Sequence, residues 1–453
     1  MKQNGKDLET LLGEPKKAIR SLVLALAFSY LVIQLNQFID TYWTTLLGDM
    51  SMAAVSMMSP IYWLITASGI GLGVGAASTV SFRLGENNRE RANVLAANSL
   101  VLGLISSVFA SVLMFILIDP IITLMGADDV RENSKAYVLP FILLASALIL
   151  NGILSGLLRA EGARVKSMML LLISAALNVV LDPILMFGLD LKVAGAGWAT
   201  ALGALISVML GLYWYATDQM EVKIRFRHFQ PDKSAIREVF GIGGPRTAEA
   251  LVTGTTNVFQ RIFLIIAGGS IGVMLYNVPF RYSSLVIVIA EALGAAMIPV
   301  CSAALGQRDV EKMKVGMVYA AKLSFVITSA LAVLIFIFAE PLMSVFTVSD
   351  TMADHKDELV WVMRMFCIFT PFDGFRKIGS CMLQVLRKSK ISTIAMLLWG
   401  LVKLGAYAIG SMYSFHAVIV ACVIVYIFGG LLMVGLAAHY SKQMKAGLPH
   451  LNC

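Results

Sequence analysis

Residues 69–85 read Gly-Ile-Gly-Leu-Gly-Val-Gly-Ala-Ala-Ser-Thr-Val-Ser-Phe-Arg-Leu-Gly. The alternating Gly69, Gly71, Gly73 and Gly75 invite comparison with a phosphate-cradling loop. No strand precedes them, and neither GxxxxGKS nor GxxxxGKT occurs in the chain, so a nucleotide site of that type is excluded. The glycines lie inside a long apolar run, where small residues let helix backbones approach closely. The same run has a counterpart 221 positions later: Gly73 meets Gly294, Ser81 meets Ser302, and Leu84-Gly85 meets Leu305-Gly306. Working outward at that shift, Asn36 pairs with Asn257, Phe38 with Phe259, Gly48 with Gly269, Arg91 with Lys312, and Asp119-Pro120 with Glu340-Pro341. The chain is a duplication.

Composition says what is duplicated. Of 453 residues 58% are hydrophobic and 14% charged, whereas a soluble domain is about half apolar and about a quarter charged. A water-soluble enzyme and a charged disordered chain are both excluded. A membrane-crossing helix needs about 20 mostly apolar residues. Twelve stretches qualify, near 18–46, 52–82, 92–118, 134–158, 168–188, 193–216, 240–267, 273–304, 315–339, 358–386, 391–411 and 414–438. The polar head from Met1 to Lys17 is followed by a run too long for a cleaved signal.

The expected fold is therefore an all-α integral membrane protein with twelve transmembrane helices in two six-helix bundles. Six is even, so both halves enter from the same side, and the pseudo-two-fold repeat is parallel. The expected division is an N-terminal lobe over 1–222, a linker over 223–239 and a C-terminal lobe over 240–453. Alternating the loops between sides places 24 Lys and Arg on the side of the termini and four (Arg131, Lys135, Lys192 and Lys356) opposite, the other eight of the 36 falling inside the spans. Positive loops stay inside, so both termini are expected in the cytoplasm of a cell-membrane protein. The net charge of +8 then needs no nucleic acid. The basic run Lys223, Arg225, Arg227, His228, Lys233 and Arg237 reads as a solvated linker. Cys301, Cys367, Cys381, Cys422 and Cys453 lack CxxC spacing and read as free thiols, without a zinc site or disulfide framework.

Prolines 60, 183, 245, 279, 299 and 371 fall in or near spans, where freed backbone groups must face protein or water. Ionisable groups inside a bilayer cost roughly 2.5–3.5 kcal/mol each on insertion scales and face cavities or partners. Asp40, Asp182, Glu249, Glu291 and Asp373 are the acids so placed. Asp182 shares a helix face with Asn178, four residues earlier. Thr200 follows Gly195-Ala-Gly197 in the sixth span. Two carboxylates with an amide and a hydroxyl suit a hard cation such as sodium, or a proton shared between coupled acids. Each residue taken alone also fits a helix cap or an interhelical hydrogen bond, and Asp-Pro is a helix-end signal.

The repeat sharpens the reading. A shift of 221 pairs Asp40 with Arg261; a shift of 225 later in each half pairs Asn178 with Lys403 and Asp182 with Tyr407. One lobe carries acids where the other carries bases or neutral groups, and a scaffold requirement alone should give like residues in both. In the C-terminal lobe Asp373, two residues after Pro371, reads either as a substrate contact or as a salt bridge to Arg376 or Lys377. Glu249 and Glu291 are the further candidates for a second acidic site.

Asn178-Val-Val-Leu-Asp182-Pro183 followed by Gly195-Ala-Gly197-Trp-Ala-Thr200 resembles the N…LDP…GxGxAxAT pattern of multidrug and toxic compound extrusion (MATE) transporters. Leu158-Arg159-Ala-Glu-Gly162 resembles that family's loop between helices 4 and 5, and Asp40 in Phe38-Ile-Asp40-Thr sits at its helix-1 aspartate. The likeness covers the whole chain. It implies that Asp40, Asn178, Asp182 and Thr200 form the proton or sodium site of the branch related to DNA-damage-inducible members, with Asn151 lining the same pocket. It also implies export of small amphipathic, often cationic, compounds in exchange for H⁺ or Na⁺, without a cofactor. Another branch keeps a helix-7 glutamate eight residues after a Gly-x-Pro-like turn. Here that position is Thr253 and Glu249 comes too early, although Asp373 fits the same branch's helix-10 aspartate.

The leading expectation is thus a monomeric cation-coupled antiporter. Ion binding at Asp40 and Asp182 in an outward-open state would neutralise the pocket and change helix-1 packing, expelling substrate. Coupling of this kind requires that ion and substrate bind the two states with different affinity. A lipid-linked saccharide flippase is the alternative, resting on Arg246, Arg261, Arg281 and Lys403 as a cationic cavity for a pyrophosphate. An enzyme is not expected: HExxH is absent, and the histidines lie in loops, tails or at a helix start.

Overall fold

The computed structural model describes residues 2–124, 128–224, 231–346 and 353–444. Among these the regular structure is entirely helical. Arg225, Arg227, His228 and Cys453 lie outside the described residues.

In the first half α1 spans Lys2–Leu12, α2 Pro15–Leu46, α3 Asp49–Gly85 and α4 Arg89–Leu124. Next come α5 (Arg131–Leu143), α6 (Ala145–Ala160), α7 (Arg164–Pro183) and α8 (Lys192–Ala216). In the second half α9 spans Lys233–Gly269, α10 Ile271–Gly306 and α11 Val310–Ile337. The short α12 (Ala339–Ser344) leads to α13 (Lys356–Val385), α14 (Ser389–Ser411) and α15 (Phe415–Gln443).

Ten of these helices are long and apolar enough to cross a bilayer, and α5 with α6 forms one further span bent by 52°. The bend falls at Leu144, one turn after Pro140, whose ring supplies no N–H to the helix ladder. The remaining expected span is α13, which has spanning length, 30 residues, but carries Arg364, Asp373, Arg376 and Lys377. The protein is an all-helical membrane protein. One element was unforeseen: the polar head folds as α1, which buries Leu8 and Leu11.

The chain forms two compact units. One comprises Met1–Thr247 with Ser302–Asp309; the other comprises Ala248–Cys301 with Val310–Leu451. The duplication extends to backbone conformation. Gly48 and Gly269, repeat mates, both take positive φ (92° and 63°) at the joint between the first and second long helices of each half. A side chain is rarely tolerated there. Asn87 and Arg308, again 221 apart, take φ of 60° and 61° in the next loop.

In the first unit the glycine run does what close packing requires. A Cβ added at Gly73 would lie 2.3 Å from the Gly152 carbonyl oxygen, and one at Gly156 would lie 2.1 Å from that of Gly73. The backbones of α3 and α6 therefore touch directly. Gly71 and Gly75 face the other way, toward Thr247, Gly243 and Val239 of α9. Within the same unit a Cβ at Gly85 would meet the Ala303 oxygen at 2.1 Å, and one at its mate Gly306 would meet the Phe82 oxygen at 2.0 Å. α2 packs on α7, and α7 on α8. That stacking brings the polar residues of three separated segments together.

Candidate functional site

Asn178 is the hub of the first unit's polar centre. Buried on α7, it receives a hydrogen bond at its Oδ1 from Asn36 Nδ2 (2.5 Å). Its own Nδ2 donates to Asp182 Oδ1 (3.3 Å) and to Thr200 Oγ1 (3.1 Å). The Asn178–Asp182 contact follows from i,i+4 spacing. Thr200 is delivered by α8, whose Gly195 packs against the backbone of Leu185 and Met186. The Thr200 hydroxyl donates to the Ala196 carbonyl (3.1 Å) and so presents its lone pairs to Asn178. Pro183 closes α7 and the chain continues as one wide turn over Ile184–Gly188. Turns of that kind recur at functional positions in helices.

Asp40, half-buried on α2, stands within electrostatic reach of Asp182. Tyr62 of α3 and Tyr137 of α5 stand within electrostatic reach of Asp40, and Tyr137 of Asp182 as well. Their rings flank Phe141, at 5.2 and 5.1 Å between centroids. Three buried acceptors in this cluster meet no donor: Asn36 Oδ1, Asp40 Oδ1 and Asp182 Oδ2. Buried acceptors are ordinarily paired, and these are oxygens beside two carboxyls that repel one another unless a positive charge joins them.

The structure thus gathers Asp40, Asn178, Asp182 and Thr200. Asn151, half-buried on α6, makes no hydrogen bond to the four. Asn36, Tyr62 and Tyr137 were not foreseen as members. Asn36 lies one turn before Asp40 on the same face of α2, a signal available in the sequence; for the two tyrosines there was none.

The three candidate acids of the second unit lie on α9, α10 and α13, and each meets a separate partner on α13. Asp373 accepts from Arg376 Nε (2.6 Å), both side chains being 5% exposed. Glu291 pairs with Lys377 at 2.5 Å in a half-exposed contact. Glu249, 1% exposed, accepts from the Ser380 hydroxyl (2.6 Å). Beside them lies Lys403, fully buried, donating from Nζ to Asn257 Oδ1 (3.0 Å) and Tyr426 Oη (3.4 Å). The rings of Trp399, Tyr426 and Tyr407 surround that ammonium at 5.5, 5.4 and 5.7 Å. Arg376 also stacks over Trp399 at 4.6 Å. Both cations are held by cation–π contacts in a water-poor interior.

Among the described residues no three His, Cys, Asp or Glu side chains gather in a metal-binding group. Cys301, Cys367, Cys381 and Cys422 are buried free thiols.

A profile of the MatE family matches residues 25–184 and 255–407, both halves of the repeat. The multidrug export protein MepA of Staphylococcus aureus is 26% identical over 322 residues, covering 69% of this chain and 71% of that protein. MepA of Staphylococcus saprophyticus is 28% identical over 246 residues, 54% of each chain. Among solved structures, a MATE protein in complex with MaL6 superposes with a TM-score of 0.93 at 29% identity, covering 98% of this chain and 100% of that one. A MOP superfamily transporter from Pyrococcus furiosus, whose pocket of reversed polarity suggests a different function for it, gives 0.92 at 29% identity, covering 98% and 99%.

Proposed function

The chain belongs to the MatE family, a transporter family and not an enzyme family, and from that premise we propose that it is a multidrug exporter working as a secondary antiporter. Its substrates are small amphipathic organic compounds, cationic in the main, and the exchanged ion is H⁺ or Na⁺. The multidrug export function of the MepA relatives supports the substrate class. The protein sits in the cell membrane with both termini in the cytoplasm, a reading supported by the distribution of loop lysines and arginines. It acts as a monomer, with lobes over 1–222 and 240–453 joined by the 223–239 linker.

One observation carries the coupling site: Asn36, Asp40 and Asp182 each present a buried oxygen with no donor, around two carboxyls within electrostatic reach of one another. A proton or a bare cation supplies the missing positive partner. Asn178 and Thr200 fix the geometry, and Asn151 lines the pocket wall. Because Asp40 is on α2 and Asp182 on α7, loading draws the two helices together and unloading frees α2 to repack. A ligand that favours one packing of α2 shifts the equilibrium between transport states. The acid cluster lies in the first half, which supports placement with the DNA-damage-inducible branch. In the second unit Asp373, Glu249 and Glu291 serve structure through Arg376, Ser380 and Lys377. Of the four cations on which a pyrophosphate cavity would rest, Lys403 is committed to Asn257 and to ring faces, which gives that reading no support.

The decisive experiment is ethidium or norfloxacin efflux from vesicles under an imposed proton or sodium gradient. Asp40→Asn and Asp182→Asn should each abolish gradient-driven efflux while the protein stays folded in the membrane. Normal efflux from both variants would sink the coupling site.

A further inference from the structure

The first unit holds its loop arginines close. Arg83 is paired with Glu86 (2.8 Å) and Glu238 (3.0 Å), Arg89 with Glu221 (3.2 Å), and Arg91 with Asp232. Lys16 and Lys17, at the start of α2, are exposed and make no ion pair among the described residues. They line a surface recess of about 380 Å³ together with Arg20, Glu14, Ser21 and Leu24. Lys16 and Lys17 alone outnumber the one carboxylate of the lining, Glu14.

The face below it is apolar and turned outward. Leu24 is 76% exposed and Phe28 56% exposed, and with Arg20 they follow at i+4 spacing along one side of the helix. In a membrane protein that side meets lipid. At 1.5 Å per residue Phe28 lies about 12 Å from Arg20 along the axis, the span from a phosphate to the upper part of an acyl chain. Cationic side chains just outside a span attract anionic headgroups, and their alkyl stems tolerate the interface.

We propose that this recess binds one anionic phospholipid. Lys16, Lys17 and Arg20 take its phosphodiester, the Ser21 hydroxyl donates at the glycerol level, and Leu24 and Phe28 carry an acyl chain. The site rests on the chain being a membrane protein and is independent of the coupled ion. It would place a specific lipid on the same helix that carries Asn36 and Asp40.

The probes are dioleoyl phosphatidylglycerol, dioleoyl phosphatidylcholine and inorganic phosphate, with retention by the full-length protein read by native mass spectrometry. Wild type should retain phosphatidylglycerol and not phosphatidylcholine, and millimolar phosphate should leave the retained lipid in place. Lys16→Gln/Lys17→Gln/Arg20→Gln should weaken phosphatidylglycerol binding by about tenfold or more. A control removing equal charge elsewhere, Lys233→Gln/Lys390→Gln/Lys442→Gln, should bind as wild type. The single variants Lys16→Gln and Lys17→Gln, at exposed positions without partners among the described residues, should each weaken binding by about fivefold, so the site stays testable if the triple variant misfolds. Unchanged binding by the triple variant, or equal loss in the control, overturns the site. Displacement by phosphate alone overturns the lipid assignment in favour of a free-anion site.

Discussion

Asn36 and Asn257, 221 positions apart, make the same bridge in opposite chemical senses. Asn36 on α2 donates to Asn178 of α7, whereas Asn257 on α9 accepts from Lys403 of α14. Asn178 and Lys403 are themselves repeat-related, so each half ties the same two helices at the same place. In the first half the tie leaves acceptors over: Asn36 Oδ1, Asp40 Oδ1 and Asp182 Oδ2. In the second an ammonium already occupies the centre, wrapped by Trp399, Tyr407 and Tyr426. One centre has acceptors to spare and the other holds a cation.

The hub role of Asn178 predicts a loss larger than any single hydrogen bond would give. Asn178→Ala strands Asn36, Asp182 and Thr200 together, and each buried group left unpaired costs about 1–3 kcal/mol. The variant should melt at a clearly lower temperature and lose gradient-driven efflux. Thr200→Ala, which removes one contact, should lose much less stability. Equal thermal shifts for the two variants would refute the hub.

Lys403 and Asp373 should respond oppositely to neutralisation. Lys403→Met fills the same aromatic cage without a buried charge, and such replacements are often neutral or stabilising. Asp373→Asn leaves the Arg376 guanidinium without its carboxylate in a buried site, a change that typically costs about 3–5 kcal/mol. Thermal unfolding in detergent should therefore show an unchanged or raised midpoint for the first and a lowered one for the second. The reverse order would mean that Lys403, not Asp373, organises the interior.

The sequence made the spans legible because membrane crossing is decided by length and composition over about 20 residues. Gly48 and Gly269 were legible as repeat mates, and their positive φ supplies the reason for both. The Asn178–Asp182 contact was legible because i,i+4 neighbours must touch. The Asn36–Asn178 bond was not, since its partners are 142 residues apart and no local rule joins them. α1 was hidden by its polarity: only Leu8 and Leu11 give it a core-facing side. The bend at Leu144 was hidden inside a hydrophobic run long enough to cross unbroken. For Asp373 the open choice between substrate and salt bridge depended on a side-chain rotamer, which spacing does not fix.

The α3–α6 seam predicts steep size dependence at one residue. Gly73→Ala places a Cβ within 2.3 Å of the Gly152 oxygen, a backbone atom that cannot swing aside. Overpacking of this sort costs about 1–3 kcal/mol, and Gly73→Val should cost more. Gly254, where an added Cβ meets nothing within 4 Å, is the matched control. Expression and thermal midpoint should fall in the order Gly254→Ala, Gly73→Ala, Gly73→Val.

Glu161, in the loop between α6 and α7, predicts a pH dependence outside the membrane. It accepts from Tyr215 Oη (2.9 Å) and from the backbone N–H groups of Glu221 (2.7 Å) and Val222 (3.0 Å), clamping the chain just ahead of the linker. Burial outweighs these bonds and pushes its carboxyl up to about 7 from 4.5, with the nearby Glu221 charge adding to the rise. Between those values the folded chain holds a proton that the unfolded chain has released, so stability falls as pH rises through the window and levels off above it. Wild type should gain on Glu161→Gln as pH drops from about 7 toward 4.5. A constant difference between the two melting curves across that range would exclude Glu161 as the titrating group.

The neighbouring carboxyls of Asp40 and Asp182 pose a test of which ion is exchanged. A shared proton needs only the two carboxyls, whereas sodium is coordinated by several oxygens and would recruit the Thr200 hydroxyl. Thr200 Oγ1 accepts from Asn178 and donates to Ala196, which leaves one lone pair for a cation. Thr200→Val keeps the shape and removes that oxygen. A proton gradient alone should drive efflux in wild type, and the variant should retain proton-driven efflux within about tenfold, since a lost neutral hydrogen bond is worth roughly 0.5–1.5 kcal/mol. Sodium-driven efflux in wild type that disappears in Thr200→Val would instead assign the cluster to sodium, with Thr200 as a ligand.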